Sequence, residues 1–142
     1  MIKEISVLGF NFTKISGEKN SEFKGKLKAT SNVNIENIKK QQMALMKEEP
    51  LMVEFRFDVK YEDLGNIEII GDFLAILDKD ATKEALDTWA KKKLSDDIHV
   101  TFLNLITNAC TLRALQLEEQ LTLPLHIQIP RFQKREDEKK QN

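Results

Sequence analysis

Leu51-Met52-Val53-Glu54-Phe55-Arg56-Phe57-Asp58-Val59-Lys60-Tyr61 is the stretch that decides how this chain folds. The odd positions Leu51, Val53, Phe55, Phe57, Val59 and Tyr61 are all apolar, and they alternate with Met52, Glu54, Arg56, Asp58 and Lys60. A period of two puts one set on one face of a strand, whereas a helix would scatter the same residues around its surface. Glu62-Asp63-Leu64-Gly65-Asn66 then supplies turn chemistry. Residues 67–77 read as the hairpin partner, with Ile67, Ile69, Phe73, Ala75 and Leu77 on the core face. Across from them Glu68 and Asp72 are polar, but Ile70, Leu74 and Ile76 are not. A strand end that is apolar on both sides must be covered on both sides or used. Coverage would come from a helix or a crossing segment; use would mean a subunit interface or a client surface.

Upstream, Ile5 and Val7 share one strand face, while Leu8, Phe10 and Phe12 share the other. The change of phase at Val7-Leu8 means either a bulge or a strand buried on both faces. Residues 16–22 read as a loop. Residues 23–35 alternate again, with Phe23, Leu27, Ala29, Val33 and Ile35 opposite Lys24, Lys26, Lys28 and Thr30. A polar connector over 36–49 carries Met43, Leu45 and Met46.

Downstream, Asp78-Lys79-Asp80-Ala81-Thr82 offers helix N-caps. A helix is expected over 83–93, with Ala85, Leu86, Trp89 and Ala90 as its apolar stripe and Lys91-Lys92-Lys93 in its last turn. Ser95 can cap a second helix over 96–120, with Asp96 and Asp97 in its first turn. Its apolar face is broad: Ile98, Phe102, Leu105, Ile106, Ala109, Cys110, Leu112 and Leu117, before Glu118 and Glu119 return it to water. Covering the sheet would use such a face, and so would helix contact between protomers. In residues 121–130, Leu123, Leu125, Ile127 and Ile129 alternate between Pro124 and Pro130, which suits an extended edge segment rather than a central strand. The reading is an α+β fold, a four-stranded antiparallel sheet followed by two helices packed on one face. Residues 1–132 form the domain, and 133–142, which lack any apolar residue, form a charged disordered tail.

A chain of 142 residues fits one domain. Its 22 basic and 23 acidic residues nearly cancel, which gives no support for nucleic-acid binding or for electrostatic attachment to a membrane. The single cysteine, Cys110, excludes an intramolecular disulfide and fits a reducing compartment. No signal peptide is evident, and residues 98–117, the most apolar long stretch, carry His99, Asn104, Asn108 and Arg113, so no spanning helix is expected. The protein reads as cytoplasmic.

Chemistry is hard to assemble from these residues. His99, His126 and Cys110 lack the spacing of a zinc site. Cys110, on an apolar helix face, reads as a small hydrophobe rather than a nucleophile. There is no glycine-rich phosphate loop and no nucleophile elbow. Glu54, Asp58 and Glu68 can neighbour one another, but on a face shared with Arg56 and Lys60, where they read as solvated cross-strand ion pairs. No enzyme, metal or cofactor is expected.

Element order and three stretches resemble the SecB-type export chaperones and their SecB-like relatives in archaea and Gram-positive bacteria. The first is Ile5-Ser6-Val7-Leu8-Gly9-Phe10-Asn11-Phe12, similar to that family's first strand. The second is Val53-Glu54-Phe55-Arg56-Phe57-Asp58-Val59 with Glu68-Ile69-Ile70-Gly71-Asp72-Phe73-Leu74-Ala75-Ile76, similar to its central hairpin. The third is Asn108-Ala109-Cys110-Thr111 with Leu123-Pro124-Leu125, similar to its long helix and the segment after it. The resemblance implies a homo-oligomer, dimer or tetramer, that holds non-native polypeptides in apolar grooves and serves protein export. Members that deliver clients to the translocase motor tend to be strongly acidic, and some carry a metal-binding cysteine tail; this chain is nearly neutral and ends without one. The candidate contacts for clients or subunits are the surplus apolar residues Leu8, Phe10, Phe12, Met43, Met46, Ile70, Leu74 and Ile76. The alternative is a structural or assembly protein whose apolar surplus meets one dedicated partner.

Overall fold

The computed structural model describes residues 4–20, 28–42 and 49–127. Four antiparallel strands come first: β1 (Ile5–Lys19), β2 (Thr30–Lys40), β3 (Leu51–Lys60) and β4 (Gly65–Leu77). Two helices come after them, α1 (Lys79–Ala90) and α2 (Asp96–Leu121). The sheet order is β1-β4-β3-β2, so the central hairpin is flanked by the two earlier strands. Leu51, Val53, Phe55, Phe57, Val59, Ile67, Ile69, Phe73, Ala75 and Leu77 are all buried, as their alternation requires. The hairpin closes through Leu64 N–H to the Tyr61 carbonyl at 3.0 Å, with Glu62 at a positive φ of 53°.

Three bulges reset which residues face the core. In β1 the register shifts between Val7 and Gly9, and again between Phe12 and Lys14. Ile5 therefore pairs with Leu77, Val7 with Ala75, Phe10 with Phe73, Phe12 with Gly71 and Ile15 with Ile69, all on the core face. The two out-of-phase apolar sets lie on one face, and a bulge, not double burial, is the reason. Leu8 is the extra residue of the first bulge. The second is braced by the Thr13 hydroxyl, which donates to the Ile70 carbonyl at 3.1 Å. In β2 the shift between Ile35 and Asn37 brings Ile38 opposite Val53 and buries it.

Several boundaries differ from the sequence reading. Residues 16–19 belong to β1 rather than to a loop, because β4 begins at Gly65 and Lys19 pairs with it. Gly17, which reads as a turn residue, serves close approach instead: a Cβ there would lie 2.8 Å from Leu121 Cδ1 of α2. Residues 36–40 are strand, not connector, and Lys28 and Ala29 precede β2. Phe23, Leu27, Met43 and Met46 lie outside the described residues. Helix α1 starts four residues early, because the Asp78 side chain accepts from the Ala81 N–H at 3.2 Å. Ala81 and Ala85 are its buried residues and Ala90 is exposed. Lys91 is the C-cap, and Lys92 has left the helix at φ 60° to sit 5.1 Å over the Trp89 ring, so the lysine run succeeds the helix rather than filling its last turn.

Helix α2 contacts all four strands. Its buried line is Ile98, Phe102, Ile106, Cys110, Ala114 and Glu118, one residue in every four. A step of four on a helix of 3.6 residues per turn drifts by about 40° each time, so this line winds around α2 as the helix crosses a twisted sheet. Leu112, on the opposite line, is 61% exposed instead of packed. Helix α1 contacts β4 and β2 and is tied to β2 by the Trp89 Nε1–H, which donates to Asn37 Oδ1 at 3.2 Å. Both helices feed one continuous hydrophobic cluster.

Candidate functional site

The surplus apolar residues divide between two faces of the sheet. Phe10 and Phe12 are half-buried on the core face, within a ring cluster completed by Phe55, Phe73 and Phe102. The Arg113 guanidinium of α2 lies 3.8 Å over the Phe12 ring and closes this cluster from the helix side. Phe10 and Phe12 are therefore packing residues that border the surface. Leu8 is 45% exposed at its bulge.

Ile70, Leu74 and Ile76 lie on the other face, which neither α2 nor its buried line reaches. All are half-buried. Ile70 pairs with Lys14 on one side and Arg56 on the other, so charged stems flank it. Glu68 receives Lys14 Nζ and Arg56 Nη2, each at 2.5 Å, and Arg56 Nε also reaches Asp58 at 3.7 Å. The hydrogen bond from Lys14 holds the Glu68 carboxyl below the usual carboxylate range, against a smaller upward push from burial and with help from Arg56. This end of the face is an ion-pair network, as the mixed charges imply, but Asp58 within it is buried rather than solvated.

The opposite end is apolar. Leu74 pairs with Met52 on one side and Gly9 on the other. Gly9, at φ 152° beside the first bulge, has nothing within 4 Å of where a Cβ would stand. Leu74 thus has a bare flank, and Ile76 continues the apolar strip to the sheet end. There Ile76 lines an open groove of about 770 Å³ with Ser6, Lys40, Thr82, Lys83 and Leu86. Met52, Leu74 and Ile76 meet this groove as an amphipathic surface, in which Ile76, Leu77 and Leu86 lie among charged residues of both signs, Glu49, Asp78 and Asp87 as well as Lys40 and Lys83.

The sequence reading missed one polar cluster altogether. Glu118 is wholly buried, not returned to water. Its Oε2 accepts from the Tyr61 hydroxyl and, at 3.0 Å, from the backbone N–H of His126. The His126 Nδ1 lies 3.0 and 3.1 Å from the two carboxylate oxygens. The His126 ring is itself 3% exposed and meets Phe57 edge-on at 5.9 Å. Burial, then the Glu118 hydrogen bond and the Glu118 charge, push the Tyr61 phenol far above its ordinary range. One signal pointed here: the four-residue ladder from Ile98 to Ala114 reaches Glu118 at its next step. His126 inverts the expected alternation, since Leu125 and Ile127 are the exposed residues around it.

Cys110 is buried, and that burial pushes its thiol up to about 12. Among the described residues, no three His, Cys, Asp or Glu side chains are placed to hold a metal ion. No described helix is long and apolar enough to cross a membrane. No family model, curated protein or solved structure matches the chain.

Proposed function

We propose that this protein is a non-catalytic, SecB-like holdase that binds stretches of non-native polypeptide. The observation that carries the reading is the half-buried Met52–Leu74–Ile76 strip on the sheet face away from α2, beside Gly9 and meeting the groove at the sheet end. Burying about 600 Å² of apolar client surface yields on the order of 15 kcal/mol gross. Ordering and association costs remove most of it, so binding is weak, broad and multi-site. The protein acts in the cytoplasm as a homo-oligomer, without nucleic acid, cofactor or membrane insertion, and export is the setting that the family resemblance implies. Purified protein slows aggregation of chemically unfolded model clients at near-stoichiometric ratios. Inertness across a range of clients would overturn the reading.

A second reading is favoured by Val100 and Leu112, 55% and 61% exposed on the outward line of α2. In it the apolar surplus meets sister subunits or one dedicated partner. Light scattering on wild type and Leu112→Asp separates the two. An oligomer that Leu112→Asp dissociates, in a protein that protects no unfolded client, supports the dedicated interface.

A further inference from the structure

We propose that residues 122–127 are a releasable strap, latched by Glu118, that occupies a binding seat for an extended apolar peptide between the end of α2 and β3. The nature of the peptide rests on the holdase reading; the latch does not. Helix α2 ends at Thr122, in the left-handed region at φ 54°, and the chain turns back over the body. Leu123 enters the hydrophobic cluster, and its N–H donates to the Glu118 carbonyl at 2.8 Å. Beyond Leu123, every hydrogen bond of the strap among the described residues ends on the Glu118 carboxylate. Pro124 removes one backbone donor, and the strap joins no strand ladder. The strap is therefore held by Leu123, by the His126 ring on Phe57, by one carboxylate and, at its start, by Lys19 Nζ, which donates to the Thr122 carbonyl at 3.1 Å.

That carboxylate is placed where charge is disfavoured twice, by complete burial and by the negative end of the α2 dipole. Three donors compensate: the Tyr61 hydroxyl, the His126 N–H and the proton that an ionised Glu118 requires on His126 Nδ1. Two of the three belong to the strap. Lifting it leaves the buried Glu118 carboxylate with the Tyr61 hydroxyl as its remaining hydrogen-bond donor of the three. The strap sequence Leu-Pro-Leu-His-Ile is itself an extended apolar segment. The vacated seat, with Phe57 and Tyr61 exposed and an acceptor at its centre, takes a segment of the same kind from another chain.

Two measurements on the full-length chain test this. In His126→Ala, hydrogen exchange at residues 123–127 speeds up at least tenfold while residues 102–114 of α2 keep wild-type rates. A fluorescent peptide of residues 121–127 binds His126→Ala at least tenfold tighter than wild type, and the same peptide with alanine for histidine loses that gain. Strap and helix exchanging together, or equal peptide binding by both proteins, overturns the proposal. If His126→Ala does not fold, Glu118→Gln, which keeps the shape, is read by hydrogen exchange alone: residues 123–127 speeding up while residues 102–114 keep wild-type rates supports the latch, and both exchanging together overturns it. Peptide binding that meets these marks in a protein that protects no unfolded client sinks the holdase reading and leaves the strap.

Discussion

Tyr61 is the chain's one tyrosine, so its titration is readable without interference. The folded chain retains the phenol proton that the unfolded chain gives up near pH 10. Stability is therefore indifferent to this group below about pH 10 and falls as pH rises beyond it. Phenolate absorbance should appear only together with loss of far-ultraviolet helix signal; phenolate in a folded chain would contradict the buried Glu118 partner. Cys110, also alone, should stay unreacted towards a disulfide reagent at pH 8 until denaturant is added. Gly71 carries a packing constraint of a different kind. A Cβ there would strike the Asn11 carbonyl oxygen and stand 3.1 Å from the Phe55 ring. Gly71→Ala should cost about 1–3 kcal/mol in urea unfolding, and an unchanged midpoint would show that β1 can move away.

The two helix starts make opposite predictions at the scale of elements. Both carry a residue of the capping class, and sequence alone treats them alike. Asp78 accepts from Ala81, so Asp78→Ala should cost about 1 kcal/mol. Ser95 stands at the N-cap of α2 but makes no capping bond, and its Oγ is buried without a partner. Ser95→Ala should leave stability unchanged or raise it, because it removes a buried unsatisfied hydroxyl. Thermal melts of the pair decide this, and equal losses would restore the ordinary cap at Ser95. The bulges make the same point for strands. Ile5, Val7, Phe10 and Phe12 look divided between two faces when counted by alternation, and only pairing with β4 reunites them.

For the whole molecule, the sharp contrast is between the two faces of the hairpin. Phe55→Asp places a charge in the sheet core and should abolish folding. Leu74→Asp, on the opposite face beside Gly9, should melt cooperatively near wild type yet lose most of its protection of unfolded clients. A Leu74→Asp protein that still protects clients would remove the strip from the proposed site. Ile70→Asp is the weaker probe, since Lys14 and Arg56 stand ready to pair with the new carboxylate.

The strand-rich front half, the central hairpin with its inward face, the two helices and the α+β class come from residue order, because period two and period 3.6 are properties of one element at a time. That Ile70, Leu74 and Ile76 share the second face of β4 could be read for the same reason, but not whether anything covers them. Only the step of four along α2 points to Glu118, and the burial itself rests on donors 57 and 8 positions away in the chain. Gly17 gives no local sign that it makes room for Leu121, and Ser95 none that it lacks a partner. Those outcomes depend on which elements meet. Packing decided them, because a buried polar group or a missing Cβ has meaning only against the neighbour that the fold brings to it.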